Sequence, residues 1–152
     1  MEVSIVCMSY KGVFKPSNPK KYKGDHTNII YRSLWERKFM VYCDLNENIM
    51  EWASEEFFIP YLDPTTNRVR RYFPDFFVKY QDKNGKLRNT VIEVKPMRET
   101  VKPVQTKGKS RKTMLTENIN YAKNQAKWKA AREFCADRKL EFKIMTEKEL
   151  GV

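Results

Sequence analysis

The stretch Val91-Ile92-Glu93-Val94-Lys95-Pro96 reads as a β-strand that carries two charges. Val91, Ile92 and Val94 favour extended backbone, and the period of two along a strand sets Glu93 and Lys95 on one face. Pro96 has no N–H and suits the strand's end. Eighteen residues before Glu93, Asp75 interrupts the aromatic run Tyr72-Phe73-Pro74-Asp75-Phe76-Phe77-Val78. An aspartate in such surroundings needs a partner, because an unpaired carboxylate is costly to bury. Asp75, Glu93 and Lys95 are therefore the first candidates for chemistry.

A hairpin signal joins the two segments. Arg68 to Tyr80 and Leu87 to Lys95 read as strands, and Asp82-Lys83-Asn84-Gly85 between them holds the Asn-Gly pair favoured in tight turns. Counted outward from Asn84-Gly85, Asp75 lies nine positions back and Glu93 eight forward. The two carboxylates come to nearly the same height on adjacent antiparallel strands. A bulge or an offset in the turn would close the register.

Ser33 to Leu45 has helical spacing, with Glu36, Phe39, Met40 and Cys43 in one stripe. Glu36 also stands three residues after Ser33, the spacing of a capping box. Two readings stay open: a carboxylate that caps the helix, or one that aims inward at the Asp75 site. Asn48 to Ser54 and Phe57 to Tyr61 read as strands, the second near a sheet edge because of Pro60, and Asp63 to Asn67 as a turn. Thr116 to Arg138 reads as a long helix with Thr116 as its N-cap. Tyr121, Gln125, Trp128, Arg132 and Cys135 lie along its stripe. Gln125 there is either a satisfied interfacial amide or a group that reaches the site or a phosphate. Leu140 to Met145 alternates as a half-buried strand, and Thr146 to Glu149 starts a final turn. A short strand is expected over residues 3–8.

With 152 residues the chain is expected to form one domain, 1–152. Its longest apolar runs fall far short of a membrane span, so no membrane role is expected. Lys and Arg number 30 against 19 Asp and Glu, a net charge of +11 that favours an anionic partner such as nucleic acid. The surplus gathers in an N-terminal arm, 11–24, whose turn-rich composition reads as an ordered or semi-ordered arm rather than a regular element, and in a polar segment, 97–114, that reads as a loop. Lys20, Lys21, Lys23, Lys102, Lys107, Lys109, Arg111 and Lys112 from these segments, with Arg71, are the candidate DNA contacts. The plainer reading of both segments is a solvated surface.

Other chemistries find little support. Cys7, Cys43 and Cys135 lack metal-site spacing and read as buried free thiols of a reducing compartment. His26 is the single histidine and falls in a polar loop, which leaves Ser-His or Cys-His catalysis without material. No glycine-rich phosphate loop is present.

An Asp followed by Glu-x-Lys on the next strand suits metal-dependent phosphodiester hydrolysis. Converging carboxylates repel each other and are stable together around a hard cation. Mg²⁺ fits, with Mn²⁺ as a substitute, held by Asp75, Glu93 and the Val94 carbonyl, with Glu36 as a further ligand or a holder of metal-bound water. Lys95 would orient the attacking water or stabilise the charged phosphorane. The plainer alternative is an exposed Glu93–Lys95 ion pair with Asp75 at a turn.

These residues resemble the PD-(D/E)XK nuclease superfamily. The longer words Tyr31-Arg-Ser-Leu-Trp-Glu-Arg-Lys-Phe39, Glu51-Trp-Ala-Ser-Glu-Glu56, Arg70-Arg-Tyr-Phe-Pro-Asp-Phe76, Ile92-Glu-Val-Lys-Pro96 and Asn124-Gln-Ala-Lys-Trp-Lys-Ala-Ala131 are similar to TnsA-type transposon endonucleases. They resemble still more the head-completion nucleases of T-even type phages, along almost the whole chain. The resemblance implies an α/β, restriction-endonuclease-like fold with an αβββαβ core, a mixed central sheet and flanking helices. It implies a metal-dependent DNA endonuclease with Asp75 and Glu93 as metal ligands, Lys95 as catalytic lysine, Glu36 as the helix acid and Gln125 in support. The position four residues after Gln125, aromatic in some relatives, is Lys129 here. It also implies head or portal components as partners and action in the host cytoplasm during assembly or within the virion. Two rival readings remain, a structural head or neck protein that keeps the nuclease fold without turnover, and a transposition subunit that needs a partner.

Overall fold

The structure, a computed structural model, describes residues 11–152, so the strand expected over residues 3–8 and Cys7 lie outside the described residues. A four-stranded mixed sheet is built from β3 (Ile49–Ser54), β6 (Phe76–Gln81), β7 (Leu87–Val94) and β8 (Glu141–Met145), in that spatial order. β6 runs antiparallel to both β3 and β7, and β8 joins β7 in parallel. The parallel return needs a crossover. It is made by the long helix α2 (Arg111–Asp137). With α1 (Leu34–Leu45) ahead of β3, the core order is αβββαβ, as the sequence implies.

The sheet buries both faces, which is why Val91 and Ile92 are adjacent and both apolar. Ile92, Phe76 and Val78 pack toward α1, whose Trp35, Phe39, Met40 and Cys43 form the buried stripe. The opposite face meets α2 through Trp128 and Ala131, together with Ile59, Tyr61 and Tyr72. Trp128 is 1% exposed, and its truncation to alanine would cost about 3–5 kcal/mol. A short helix α3 (Glu147–Leu150) follows β8 and starts with a capping box from Thr146 and Glu149.

Four local expectations need correction. The single strand expected from Arg68 to Tyr80 is two strands, β5 (Arg68–Tyr72) and β6, separated by Phe73-Pro74-Asp75. Pro74 cannot donate to a ladder. Freed from the main sheet, β5 pairs with β4 (Ile59–Asp63) as a separate hairpin, with Pro60 opposite Arg71. The strand expected at Phe57 thus begins at Ile59.

The second correction concerns α2, which starts at Arg111 with Ser110 as cap and so absorbs the last turn of the expected basic loop. Ser110 Oγ accepts the Thr113 N–H at 3.1 Å. Thr116 instead bonds back to the Lys112 carbonyl. Third, the buried stripe of α2 is Asn124, Trp128, Ala131 and Cys135. Gln125 is half-buried and Arg132 exposed.

Fourth, the arm 11–24 contains regular structure: β1 (Gly12–Phe14) pairs with β2 (Ile29–Tyr31), and a 3-10 turn spans Pro19–Lys21. Two side chains lock it down. Tyr22 packs edge-on against Trp52 at 4.8 Å. The buried Asp44 accepts the backbone N–H groups of Ser17 and Asn18 at 2.7 and 2.9 Å.

Candidate active site

The β6–β7 turn resolves the register. Gln81 pairs with Leu87 and Phe76 with Ile92, so the hairpin is centred on Asn84 itself rather than between Asn84 and Gly85. A five-residue connection does this: Asp82 N–H donates to the Lys86 carbonyl, and Gly85 takes φ of 78°. The half-residue offset leaves Asp75 one step beyond Phe76, opposite Glu93, which is one step beyond Ile92.

Asp75 sits where β6 begins. Its Oδ2 accepts the Val94 N–H at 2.8 Å, so the strand that carries Glu93 also orients the aspartate. Its backbone carbonyl accepts the Glu55 N–H at 3.2 Å. Glu55, the residue after β3, has φ of 52°, a conformation uncommon outside glycine. Burial, together with the negative charges of Glu93 and Glu36, holds the Asp75 carboxyl well above the usual aspartate range. Burial likewise raises Glu93, which is 5% exposed, against the opposing influence of Lys95, Tyr72 and Lys127.

Three cationic or donor groups frame Glu93. The Tyr72 hydroxyl donates to Glu93 Oε1 at 2.8 Å from the end of β5. Lys95 Nζ stands 3.9 Å from Glu93 Oε2, on the shared strand face expected from the pleat. Lys127 reaches in from α2, its ammonium 5.9 and 5.8 Å from the ring centres of Tyr61 and Tyr72. Desolvation and the nearby Lys95 lower the Lys127 pKa.

Glu36 joins two roles that the sequence left as alternatives. Ser33 Oγ accepts the Glu36 N–H at 3.1 Å, so the helix cap is real. The Glu36 carboxylate accepts the Arg32 N–H at 3.2 Å, rather than the Ser33 N–H of a full capping box. Burial raises its pKa, with Glu55 and Glu93 adding to the rise. The carboxylate therefore shares the field of the Asp75–Glu93 pair. Arg32 balances part of that charge through Glu55, at 2.7 Å.

The remaining expected residues fall in several places. The Gln125 side chain makes no hydrogen bond among the described residues, and Lys129 is exposed. Lys21 donates to the carbonyls of Asp44 and Asn46 at 3.1 and 2.7 Å, which commits its ammonium to the end of α1. Lys109 is tied to the Val104 carbonyl and Glu117 at 2.6 and 2.8 Å. Lys23 lies 3.9 Å from Glu51, and Arg71 stacks on Phe58 at 4.8 Å. Lys20, Lys102, Lys107, Arg111 and Lys112 are exposed. His26 is exposed in its loop, and Cys43 and Cys135 are buried free thiols.

Tyr72, Lys127 and Glu55 escaped the sequence reading. Tyr72 lay within the aromatic word beside Asp75, and only the break at Pro74 sends its hydroxyl across to Glu93. Lys127 follows Asn124 by three residues, a spacing that becomes informative once the buried stripe is placed correctly.

The donor set suits a hard cation. Asp75, Glu93 and the Val94 carbonyl offer only oxygen, and burial raises both carboxyl pKa values despite the neighbouring lysines, a setting in which a divalent cation would favour the charged forms. Among the described residues, no three His, Cys, Asp or Glu side chains are grouped closely enough to hold an ion unaided. A two-carboxylate site is the kind that Mg²⁺ uses, since it retains several waters and takes substrate oxygens.

Residues 46–147 match the family of TnsA-like endonuclease N-terminal domains. The chain is also similar to the head completion nuclease of Enterobacteria phage T4, with 38% identity over 143 residues, covering 92% of this chain and 93% of that protein. The match spans most of the Asp75–Glu93 core, and the similarity to the phage nuclease is nearly full-length: the chain belongs to the TnsA-like endonuclease family.

Proposed function

We propose that this protein is a Mg²⁺-dependent endodeoxyribonuclease that trims or nicks DNA around completion of a packaged phage head. The observation that carries the reading is the register that sets Asp75 opposite Glu93 with Lys95 on the same face. The relative named a head completion nuclease supports the biological setting. DNA, head or portal components as partners, and action in the host cytoplasm or the virion, belong to the same proposal.

Asp75, Glu93 and the Val94 carbonyl would hold the cation, with Glu36 behind them. A bound divalent cation supplies a water of lowered pKa and neutralises charge at phosphorus. The Val94 N–H fixes one Asp75 oxygen and leaves the other free of hydrogen bonds among the described residues. Tyr72 holds Glu93 in one orientation. Lys95 presents an ammonium where negative charge grows on the phosphoryl oxygens, and it can orient the attacking water. Lys127 adds a second positive charge from the α2 side. The exposed cations Lys20, Lys102, Lys107, Arg111 and Lys112 supply sequence-independent phosphate contacts.

The test incubates the wild type and Asp75→Asn with duplex and branched DNA in Mg²⁺, Mn²⁺ or EDTA. Cleavage by the wild type in either metal, lost in EDTA and in Asp75→Asn, is expected. Equal behaviour of the two proteins on every substrate would overturn the reading and leave a structural head protein.

A further inference from the structure

The segment that follows Lys95 forms a groove of ≈ 660 Å³ against α2. Arg98, Lys102 and Val104 lie on the loop side, and Tyr121 and Asn124 on the helix side. Tyr121 and Asn124 are three residues apart and share a helix face. Asn124 is 7% exposed and lines the groove, and its amide is not among the buried polar groups left without a partner, so its polar atoms open onto the groove. An amide held this way, its body packed and its polar end facing the groove, is placed to meet a ligand there.

Both walls of the groove continue, within one turn of chain, into residues of the Asp75–Glu93 site. Arg98 follows Lys95 by three residues. Lys127 follows Asn124 by three, about 4.5 Å further along the axis at 1.5 Å per residue. Its shape is set in advance by the protein. Lys109 ties the loop to α2 through the Val104 carbonyl and Glu117. Gln105 Nε2 closes the loop tip on the Lys109 carbonyl at 2.9 Å.

The lining has the chemistry of a nucleotide site. A phenol ring offers a stacking surface, an amide offers both a donor and an acceptor to a base edge, and Arg98 and Lys102 offer phosphate contacts. The volume lies within the range of about 300–1,000 Å³ usual for small-ligand sites. A base within a continuous duplex stack cannot enter such a groove, whereas an unpaired base can.

Resting on the nuclease reading above, we propose that this groove binds one unpaired nucleotide of the DNA strand, next to the bond to be cut. The protein accordingly favours frayed ends, overhangs and branch points over continuous duplex. Arg98 and Lys102 against Glu99 favour an anionic occupant over a basic or neutral peptide segment, and the Tyr121 ring favours a nucleotide base over an acidic side chain.

The experiment measures binding rather than cleavage, using full-length Asp75→Asn and DNA with 2-aminopurine in a short overhang. A 2-aminopurine fluorescence change on binding, and tighter binding to overhang than to blunt duplex of equal length, are expected. Tyr121→Ala in the same background should abolish the fluorescence change and weaken overhang binding by about tenfold or more, the loss of one stacked base. Tyr121→Phe should keep both. Circular dichroism and thermal melts establish that each variant is folded. Equal affinity for overhang and blunt duplex, or a fluorescence change that survives Tyr121→Ala, would overturn the inference and leave the groove to a protein segment. Either result can occur while the wild type still cuts DNA, so this failure is separate from failure of the nuclease reading.

Discussion

Asp75 and Glu93 face each other across the open end of the β6–β7 pair, and the backbone N–H of Val94, next to Glu93, donates to Asp75 Oδ2 at 2.8 Å. One strand thus carries one carboxylate and positions the other. The arrangement is electrostatically unfavourable on its own, since each carboxylate lies in a desolvated setting and Glu93 raises the pKa of Asp75. A site of this kind stores repulsion that a cation relieves.

Replacing Asp75 with Asn should separate stability from activity. The amide oxygen can still accept the Val94 N–H, while the repulsion with Glu93 and Glu36 disappears. The metal-free variant should melt above the metal-free wild type, by about 2–4 °C for each kcal/mol relieved. DNA cleavage should fall by about a thousandfold or more, given the role of preorganised charge in such sites. Mg²⁺ should raise the melting temperature of the wild type and leave that of the variant unchanged, because only a ligand that binds the folded state stabilises it. Thermal melts with and without Mg²⁺, paired with a nicking assay, check all three outcomes.

Tyr72→Phe should move the acid side of the pH–rate profile. The Tyr72 hydroxyl stabilises the charged form of Glu93, so its removal raises the Glu93 pKa further. Activity that depends on ionised Glu93 should then begin at higher pH than in the wild type. The lost charge-assisted bond should cost about 1.5–3 kcal/mol in stability. A pH series of initial rates measures the shift, and an unchanged acid limb would remove Tyr72 from the site.

Much of this site was legible in the sequence, and the missing parts have physical causes. Glu93 and Lys95 share a face because the strand period is two, and nothing in the fold overrides it. The Asp75–Glu93 pairing was visible to within half a residue, the uncertainty of a turn whose hydrogen bonds the sequence does not specify. Tyr72 and Lys127 were hidden for different reasons. Tyr72 depends on a chain break at Pro74 that turns one apparent strand into two. Lys127 depends on the rotation of α2, where alanines at Ala122, Ala126, Ala130 and Ala131 make several faces equally suited to packing. The basic segments misled in the opposite direction, because counting lysines does not distinguish ammonium groups tied to carbonyls from those free to meet phosphate.

Asp63 should set part of the acid sensitivity of the fold. Hydrogen bonds from Thr65 hold its carboxyl down at about 2, and it pairs with Arg70 at 3.0 Å and with Lys123 of α2 at 3.9 Å. A folded-state pKa below the unfolded value means that the stabilisation is complete above about 3.9 and lost as pH falls toward the folded value. Asp63→Asn should therefore reduce stability at neutral pH and flatten its decline between about pH 4 and 2. Denaturant melts across that window test this, and parallel curves for the two proteins would refute it.

Lys20 and Lys21, adjacent in sequence, should respond in opposite ways to alanine. Lys21 donates to the Asp44 and Asn46 carbonyls at the end of α1, where orphan carbonyls and the negative end of the helix dipole await a cation. Its loss should cost about 1–2 kcal/mol of stability. DNA affinity measured below the melting transition should change little. Lys20 is exposed and touches none of these groups. Lys20→Ala should leave the melt unchanged and reduce the slope of log affinity against log salt by about 0.9, the contribution of one phosphate contact. Filter binding of Asp75→Asn-background proteins over a salt series, alongside thermal melts, separates the two effects. If Lys21→Ala alters the salt slope and Lys20→Ala alters only the melt, the assignment of the arm's cations is reversed.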